Sequence, residues 1–331
     1  MSNHTPALLD DLRGEFLTHL KATFNEKKPR GLYAPIDYIL GLGGKRIRPL
    51  VALLAGKMFG DNDLSQTMPV ALAVETFHNF TLLHDDIMDD SPLRRGQPTV
   101  HEKWDVNTGI LSGDLMLIQA YEHLCACPNK AVLPELLCTF NRVATGVCEG
   151  QQFDVDFEQR EDVTIAEYTR MIELKTAVLL GGSLELGALA AGAGSVNAQH
   201  LYAFGRLTGL AFQLQDDLLD TFGDSQATGK RAGNDIIRNK KTFLFLRALE
   251  LLGEADQDEL RHWFRKSPAD PAKKVIRVTD MMRAAGIPAA VAALRDNYQA
   301  EAYTHLEAAE GDAAVKAVLK DLTEGLLRRV H

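Results

Sequence analysis

Residues 78–96 read HNFTLLHDDIMDDSPLRRG, where an apolar run ends in four aspartates: Asp85, Asp86, Asp89 and Asp90. The run starts near residue 66 and is apolar on most of its circumference, which predicts a helix over 66–88 buried in a helical bundle. Residues four apart share one helix face, so Asp85 is expected to project with Asp89, and Asp86 with Asp90. Like charges at this spacing destabilise a helix, and its dipole disfavours anions at the C-terminus. A solvated helix end is one interpretation, and a bound cationic partner is the other.

A second aspartate cluster favours the cationic partner. Residues 212–220 read FQLQDDLLD and repeat the spacing of the first cluster with Asp216, Asp217 and Asp220. Two such helices can face each other across a bundle. Carboxylate oxygens suit Mg2+, which keeps several waters and is completed by substrate phosphates. Zinc or copper would require His or Cys at ligand spacing, so the two clusters predict magnesium ions that carry a polyphosphate between them.

Basic residues near these motifs could bind the negative charge of a polyphosphate. GGKRIRP at 43–49 provides Lys45, Arg46 and Arg48, the first aspartates are followed by Arg94 and Arg95, and the later basic residues are Lys175, Lys230, Lys240 and Lys241. A lysine within an apolar helix, as at the Lys175-Thr176 pair, is costly unless it reaches an anion. Together these residues predict two anion sites, one bridged by metal and one purely basic.

Composition narrows the functional class. The chain has 331 residues, 46% of them hydrophobic and 24% charged, which is typical of a soluble globular protein. Its net charge of -9 argues against nonspecific nucleic-acid binding. The N-terminal residues do not read as a signal peptide and no run is long enough to span a bilayer, so a cytoplasmic protein without stable membrane insertion is expected. The four cysteines form no CxxC pair and are expected to be reduced core thiols.

Helical patterns recur along most of the chain. Further helices are expected over 110–126, 131–159, 164–192 and 196–221, separated by glycine- and proline-containing breakers. Alanine and leucine dominate, and alternating β-branched runs are nearly absent. No low-complexity linker interrupts the chain, so we expect an all-α protein with one domain over 1–331.

These motifs resemble those of the trans-isoprenyl diphosphate synthases, or polyprenyl synthetases. The matching segments run in the family order: GGKRIRP (43–49), HDDIMDDSPLRRG (84–96), Lys175-Thr176, FQLQDDLLD (212–220) and GKRAGNDIIRNKKT (229–242). The resemblance implies the isoprenoid-synthase helical bundle with a central cleft, a homodimer, and catalysis with three magnesium ions. It also implies condensation of isopentenyl diphosphate with an allylic diphosphate.

The resemblance assigns a role to each matching residue. It assigns to the isopentenyl diphosphate site Lys45, Arg48, His78 and Arg95. Contacts to the allylic diphosphate are implied for Arg94, Lys175, Thr176, Gln213, Lys230 and Lys240. Direct magnesium ligands are implied at Asp85, Asp89 and Asp216, with support or water-mediated binding from Asp86, Asp217 and Asp220. Asn239 stands where the family often has glycine, which leaves Lys241 as a substitute for Lys240.

The implied reaction needs no protein nucleophile. Magnesium held by the aspartates would stabilise the charge on the departing diphosphate, together with Arg94, Lys175, Lys230 and Lys240. The resulting carbocation would be attacked by the double bond of isopentenyl diphosphate. The growing tail is expected to run past Thr81 towards Phe80 and Phe77. An aromatic residue at Phe80 with the small Thr81 beside it resembles the pattern of the short-chain enzymes of the family. That resemblance predicts a farnesyl (C15) or geranylgeranyl (C20) product, with C20 favoured.

Three alternatives remain at this stage. A terpene cyclase or head-to-head condensing enzyme would share the fold, but cyclases usually lack a second DDxxD and a basic GGKRIRP-like site. A di-iron carboxylate protein would use two Glu-x-x-His pairs, for which Glu75-His78 and Glu259-His262 have the spacing. A regulatory subunit of a heteromeric synthase would lose aspartates, whereas both clusters are complete here.

Overall fold

The computed structural model describes residues 4–24, 27–223, 233–265 and 270–327, and this part of the chain is helical apart from one short hairpin. The first helices are α1 (His4–Ala22), α2 (Arg30–Gly41), α3 (Ile47–Met58) and α4 (Met68–Met88). They are followed by β1 (Leu93–Arg94), β2 (Gln97–Pro98), α5 (Val100–Lys103) and α6 (Val106–Cys125). Then come a 3-10 turn (Lys130–Val132), α7 (Leu133–Gln159), α8 (Ile165–Ile172), a π-helical segment (Glu173–Ala177), α9 (Val178–Ala190) and α10 (Ser195–Phe222). The remaining helices are α11 (Asn234–Ile237), α12 (Phe243–Leu251), α13 (Glu254–Arg265), α14 (Pro271–Ala284), α15 (Ile287–Ala308) and α16 (Ala313–Leu327).

The predicted helices are confirmed within a few residues, with one difference. The segment expected to form a single helix over 164–192 is instead α8 and α9, joined by the π-helical segment Glu173–Ala177. π-Bulges are rare and often mark functional sites. This one carries the Lys175-Thr176 pair.

Contacts divide the chain into two compact units. The first unit contains the described residues of 1–143, 182–202 and 307–321, and the second those of 144–181, 203–306 and 322–331. Each unit therefore combines segments that are distant in sequence. The first unit contains the first aspartate cluster, and the second contains the other.

The first unit is organised around α4 and α6. A Cβ added to Gly113 of α6 would lie 2.2 Å from Nε2 of His84 on α4, so a larger residue here would displace the His84 ring. At Gly109 a Cβ would lie 2.8 Å from Cδ1 of Ile87, which a shift of that side-chain end relieves. Two glycines of α6 thus seat the last turn of α4, which carries the first aspartates.

The second unit has its own apolar core. Buried side chains of several helices meet there, including Phe157, Met171, Leu214, Phe243 and Val278. The rings of Phe245 and Phe264 pack with centroids 4.1 Å apart. This core fixes α8, the π-helical segment and α10 within the unit.

The cysteines only partly match expectation. All four are free thiols, but Cys127 alone is buried, while Cys125, Cys138 and Cys148 are exposed. The apolar neighbours in sequence lie on other faces of the amphipathic helices, so the expectation of core thiols was wrong at three positions. Within the described ranges, no helix combines the length and apolar character needed to cross a bilayer.

Candidate active site

The first aspartate cluster lies at the C-terminus of α4. The helix ends at Met88, Asp89 caps it, and its N–H donates to the Asp85 carbonyl at 2.9 Å. Asp90 lies beyond the helix with φ of 48°. Asp85 and Asp89 are half-buried, whereas Asp86 is buried and Asp90 exposed. The expected pairing of Asp86 with Asp90 was therefore wrong, because the helix stops before its face reaches Asp90.

Arg94 is the cationic partner of this cluster. Its Nε and Nη2 donate to the two oxygens of Asp86 at 2.6 and 2.7 Å, and Nη2 lies 3.6 Å from Asp85 Oδ2. Burial raises the pKa of the Asp86 carboxyl, and the Arg94 guanidinium opposes that rise. A bidentate pair of this kind fixes both side chains. Arg94 thus orients the acidic end of α4.

A tight hairpin presents Arg94 and Arg95. Leu93 pairs with Pro98 and Arg94 with Gln97, which leaves Arg95-Gly96 as a two-residue loop. Both loop residues have positive φ, 54° at Arg95 and 75° at Gly96, as type I′ turns require. A bulky residue rarely adopts this conformation, so Arg95 is held at a strained position that suits a functional role.

The residues expected to bind isopentenyl diphosphate converge in the first unit. Arg48 Nη1 donates to His78 Nε2 at 3.1 Å. The Arg95 guanidinium donates to the Gly43 carbonyl and covers Gly44, where an added Cβ would lie 2.9 Å from Arg95 Cζ. Lys45 is exposed in the same turn. Glycine suits this turn because Gly43 and Gly44 have φ of 80° and 124°, which L side chains rarely adopt.

His78 is uncharged in this basic surrounding. Burial, followed by the positive charges of Arg48 and Arg95, holds the pKa of His78 well below its usual value. Because Arg48 must donate, Nε2 accepts and the ring proton lies on Nδ1. In the described chain the buried Arg48 Nε has no hydrogen-bond partner. His78 therefore orients Arg48, and the guanidinium retains a donor for an anion.

Arg46 belongs to the core and not to an anion site. Its guanidinium is buried, forms an ion pair with Glu75 and donates to the Leu40 carbonyl. Glu75 also accepts from Asn79 Nδ2 at 2.9 Å. The expectation that Arg46 contributes to a basic site was wrong. The Glu75-His78 iron-binding alternative also fails here, since Glu75 binds Arg46.

Aromatic rings surround the predicted chain-length residues. Phe77 is buried, and its ring centroid lies 5.7 Å from that of Phe80 and 5.2 Å from that of Phe140. Tyr121 stacks edge-on against Phe140 at 5.0 Å. Phe80 and Thr81 are half-buried, one to two turns before Asp85. We call Phe77, Phe80, Tyr121 and Phe140 the aromatic cluster.

The second aspartate cluster lies near the end of α10 in the second unit. Asp217 is buried and accepts from the Tyr168 hydroxyl at 2.5 Å and from Gln213 Nε2 at 3.0 Å. Asp216 is exposed, and Asp220 accepts from the Asp235 N–H at 2.9 Å. Burial, with the charges of Asp235 and Asp216, raises the pKa of Asp217 to about 7. Asp216, Asp217, Asp220 and Asp235 thus gather four carboxyl groups at this end of α10.

The raised pKa predicts pH-dependent metal binding. Asp217 is protonated below about pH 7, so the negative charge by which it supports a nearby Mg2+ is present only above that pH. We expect the apparent Mg2+ affinity to weaken towards tenfold per pH unit below 7. In metal-free protein the free energy of unfolding should fall as the pH rises from 3.8, the ordinary pKa of an aspartate, to about 7, the pKa of Asp217 in the folded chain. Calorimetric Mg2+ titration at pH 6 and 8 tests this, and Asp217→Asn should remove the dependence.

The π-helical segment presents Lys175 and Thr176. Lys175 Nζ donates to Asp154 Oδ2 at 2.6 Å, and Thr176 Oγ1 lies 3.5 Å from Gln213 Oε1. Backbone packs on both sides of the segment. A Cβ added to Gly150 would lie 2.2 Å from the Lys175 nitrogen, and one added to Gly209 would lie 2.7 Å from Ala177 Cα. Two glycines thus allow neighbouring helices to clamp the bulge.

Gly150→Ala is expected to displace this segment. The added methyl meets backbone at 2.2 Å, which cannot rotate away, so we expect a loss of about 1–3 kcal/mol of stability and a higher KM for the allylic substrate. Denaturant unfolding and steady-state kinetics measure both. Gly146→Ala is the matched control, because its Cβ would meet only side-chain atoms, at 3.3 Å or more. Equal behaviour of the two variants would contradict the clamp.

The turn before Lys240 explains the asparagine where glycine is usual. Asn239 has φ of 60°, a conformation that asparagine tolerates better than most residues. Its Oδ1 accepts from Lys274, whose side chain is 0% exposed. Lys240 is half-buried, whereas Lys241 Nζ donates to the Phe157 and Glu158 carbonyls. Lys241 therefore caps α7 and is no substitute for Lys240, while Lys230 lies outside the described residues.

Two polar residues near the second aspartate cluster were not predicted from the sequence. Asp154 binds Lys175, and Tyr168 holds the buried Asp217. Asp154 gave a weak signal as a carboxylate spaced among Phe153 and Phe157. Tyr168 gave none, because a buried tyrosine on an amphipathic helix is typical of the core.

The Glu259-His262 pair is unsuitable for iron, since Glu259 binds Arg277 on an exposed face.

Sequence and structure comparisons place the chain among known proteins. The polyprenyl synthetase family matches residues 29–281. The geranylgeranyl diphosphate synthase of Methanosarcina mazei is 40% identical over 248 residues, covering 73% of this chain and 76% of the relative. The geranylfarnesyl diphosphate synthase of Natronomonas pharaonis is 40% identical over 240 residues, covering 67% and 70%. A crystal structure of a geranylgeranyl pyrophosphate synthase superposes with a TM-score of 0.92 at 44% identity, covering 97% of this chain and 98% of the other.

Proposed function

The chain belongs to the polyprenyl synthetase family, has the all-α isoprenoid synthase fold and is a short-chain prenyltransferase; on that premise we propose that it condenses isopentenyl diphosphate with an allylic diphosphate to geranylgeranyl diphosphate. The convergence of Arg48, His78 and Arg95 beside an acidic helix end carries this proposal. A basic diphosphate site and an acidic metal site are what a two-diphosphate reaction needs. The cyclase, di-iron and regulatory-subunit alternatives are not favoured.

The acidic sites fit magnesium. Their donors are carboxylate oxygens, and Mg2+ prefers oxygen ligands completed by phosphate. We assign Asp85, Asp89 and Asp216 as direct ligands, supported by Asp86, Asp217 and Asp220, for three ions. When bound, the ions neutralise the negative charge that develops on the leaving diphosphate.

The side chains supply the other parts of the reaction. Lys175 and Lys240, with Lys230, contact the allylic diphosphate and stabilise its charge as the carbon–oxygen bond breaks. Arg94 keeps Asp86 oriented through Nε and Nη2 and offers Nη1 to the substrate. Lys45, Arg48 and Arg95 hold isopentenyl diphosphate so that its double bond attacks the cation. The proton that the resulting cation loses is taken up by the released diphosphate. His78 acts by orienting Arg48.

The activity test uses purified protein, Mg2+ and the two substrates. Isopentenyl diphosphate with dimethylallyl, geranyl or farnesyl diphosphate should give a C20 product after dephosphorylation and chromatographic sizing. Consumption of the allylic diphosphate is expected only when both substrates are present. Consumption of the allylic diphosphate alone would indicate a cyclase and contradict the proposal.

The aromatic cluster is proposed to end the tail-binding cleft. Replacing Phe77 and Phe80 with alanine removes two rings 5.7 Å apart and should shift the product beyond C20. Phe16→Leu, at a buried phenylalanine of α1 outside the cluster, should leave product length unchanged. An unchanged C20 product from the double variant would show that these rings do not set the length.

The proposals on domain organisation, oligomeric state and localisation rest on the family resemblance. The family match spans segments of both units, which supports the prediction of one synthetase domain over 1–331. We also propose a homodimer that works in the cytoplasm. Light scattering of the purified protein tests the dimer.

A further inference from the structure

A mixed acidic and imidazole cluster lies beside the hairpin in the first unit. It consists of Asp90, His101 and Glu102, and one ligand atom of each lies within 4.8 Å of the other two. His101 Nε2 and Glu102 Oε1 are 3.9 Å apart. None of these residues has a role in the proposed reaction, and the family motifs assign them none.

His101 is the unusual member of this cluster. Its side chain is only 5% exposed, and in the described residues neither Nδ1 nor Nε2 has a hydrogen-bond partner. The separation from Glu102 is too long for a hydrogen bond. Buried polar groups in native proteins almost always have a partner, so each exception requires an explanation. Here the ring nitrogen faces two carboxylates, which is the arrangement of an incomplete ligand set.

We propose that Asp90, His101 and Glu102 bind a divalent transition ion such as Zn2+ or Co2+. Imidazole with carboxylate suits these ions, whereas Mg2+ prefers oxygen alone. Ligand atoms about 2.0–2.2 Å from a tetrahedral ion lie about 3.3–3.6 Å apart, whereas these three atoms lie within 4.8 Å of one another and His101 Nε2 is 3.9 Å from Glu102 Oε1. Rotation of the exposed carboxylates of Asp90 and Glu102 closes that difference.

The position of the site gives the ion a structural role. Asp90 and His101 are the two ends of the segment that carries the Arg94-Arg95 hairpin. The base of that segment is already closed by Thr99, whose Oγ1 donates to the Ser91 carbonyl at 2.8 Å and whose N–H donates to the Pro92 carbonyl at 3.1 Å. An ion at the same base adds a cross-link that resists opening of the hairpin. It takes no part in the reaction, and its test does not depend on the proposed function.

The test uses the full chain freed of metal with chelator and then kept in excess Mg2+. Titration with Co2+ should show one ion per chain with a visible absorption band, and Zn2+ should displace it. Hydrogen exchange of residues 91–100 should slow at least about threefold when Zn2+ is bound. His101→Gln should weaken Co2+ binding at least about tenfold, because the nitrogen ligand is lost.

Two further variants keep the proposal open to refutation. The joint Asp90→Asn and Glu102→Gln change affects exposed side chains, preserves the fold and should weaken Co2+ binding as much as His101→Gln. Asp280→Asn, at an exposed carboxylate of α14, should leave Co2+ binding unchanged. Absence of Co2+ binding in excess Mg2+, or binding that survives both the His101 and the carboxylate variants, would overturn the site.

Discussion

Asp85→Asn is expected to lower kcat by about 10³-fold or more, since the side chain is a proposed metal ligand at the point where charge develops. Asparagine has nearly the same shape, but its neutral oxygen binds Mg2+ far more weakly than a carboxylate. Asp85 is half-buried and its charge crowds that of Asp86. Stability should therefore change little or rise slightly.

The measurement is single-turnover formation of product at saturating Mg2+ and both diphosphates. Asp280→Asn serves as the matched control, because it removes an exposed carboxylate that makes only a surface ion pair with Arg283. That control should keep activity within about twofold. If Asp85→Asn retained a tenth of the activity, the proposed role of the first cluster would be wrong.

Glu75→Ala is expected to destabilise the protein by about 3–5 kcal/mol, because it leaves Arg46 charged and uncompensated in the core. The two side chains are 3% and 2% exposed. The same carboxylate accepts from Asn79 Nδ2, so the substitution also removes a partner from a buried amide. Denaturant unfolding with a linear extrapolation measures the change.

A paired substitution separates charge from packing. Arg46→Met with Glu75→Leu removes both charges and keeps most of the volume, which is often neutral for a buried ion pair. We expect it to recover at least half of the stability lost in Glu75→Ala. A loss below about 1 kcal/mol in Glu75→Ala would show that Arg46 finds another partner or water.

The backbone layout of this protein was predictable from local patterns. The apolar run that ends in aspartates predicted α4, and the structure places that helix at Met68–Met88. Apolar periodicity depends on neighbours three and four residues apart, and so do the helices themselves. The ordered motifs, together with the two DDxxD spacings, were specific enough to indicate the family before any geometry was known.

The local partners of the charged residues were not predictable in the same way. Lys175 was expected to need an anion, but only the fold shows that Asp154, 21 residues earlier, is its partner. Arg46 and Arg48 are two residues apart, yet one is locked to Glu75 in the core and the other retains a buried donor. Which of two neighbouring arginines serves the core depends on the side chains that other helices bring to it.

Residue type and spacing within single helices encode the helical class, the family and the two acidic motifs, so these follow from the sequence. Only the folded chain shows that a bulge presents Lys175, that Tyr168 holds Asp217, and that His101 lies buried beside two carboxylates. These features depend on burial and on partners far away in the chain. The free energy of a polar group is set by what replaces its water, and only the folded packing specifies that replacement.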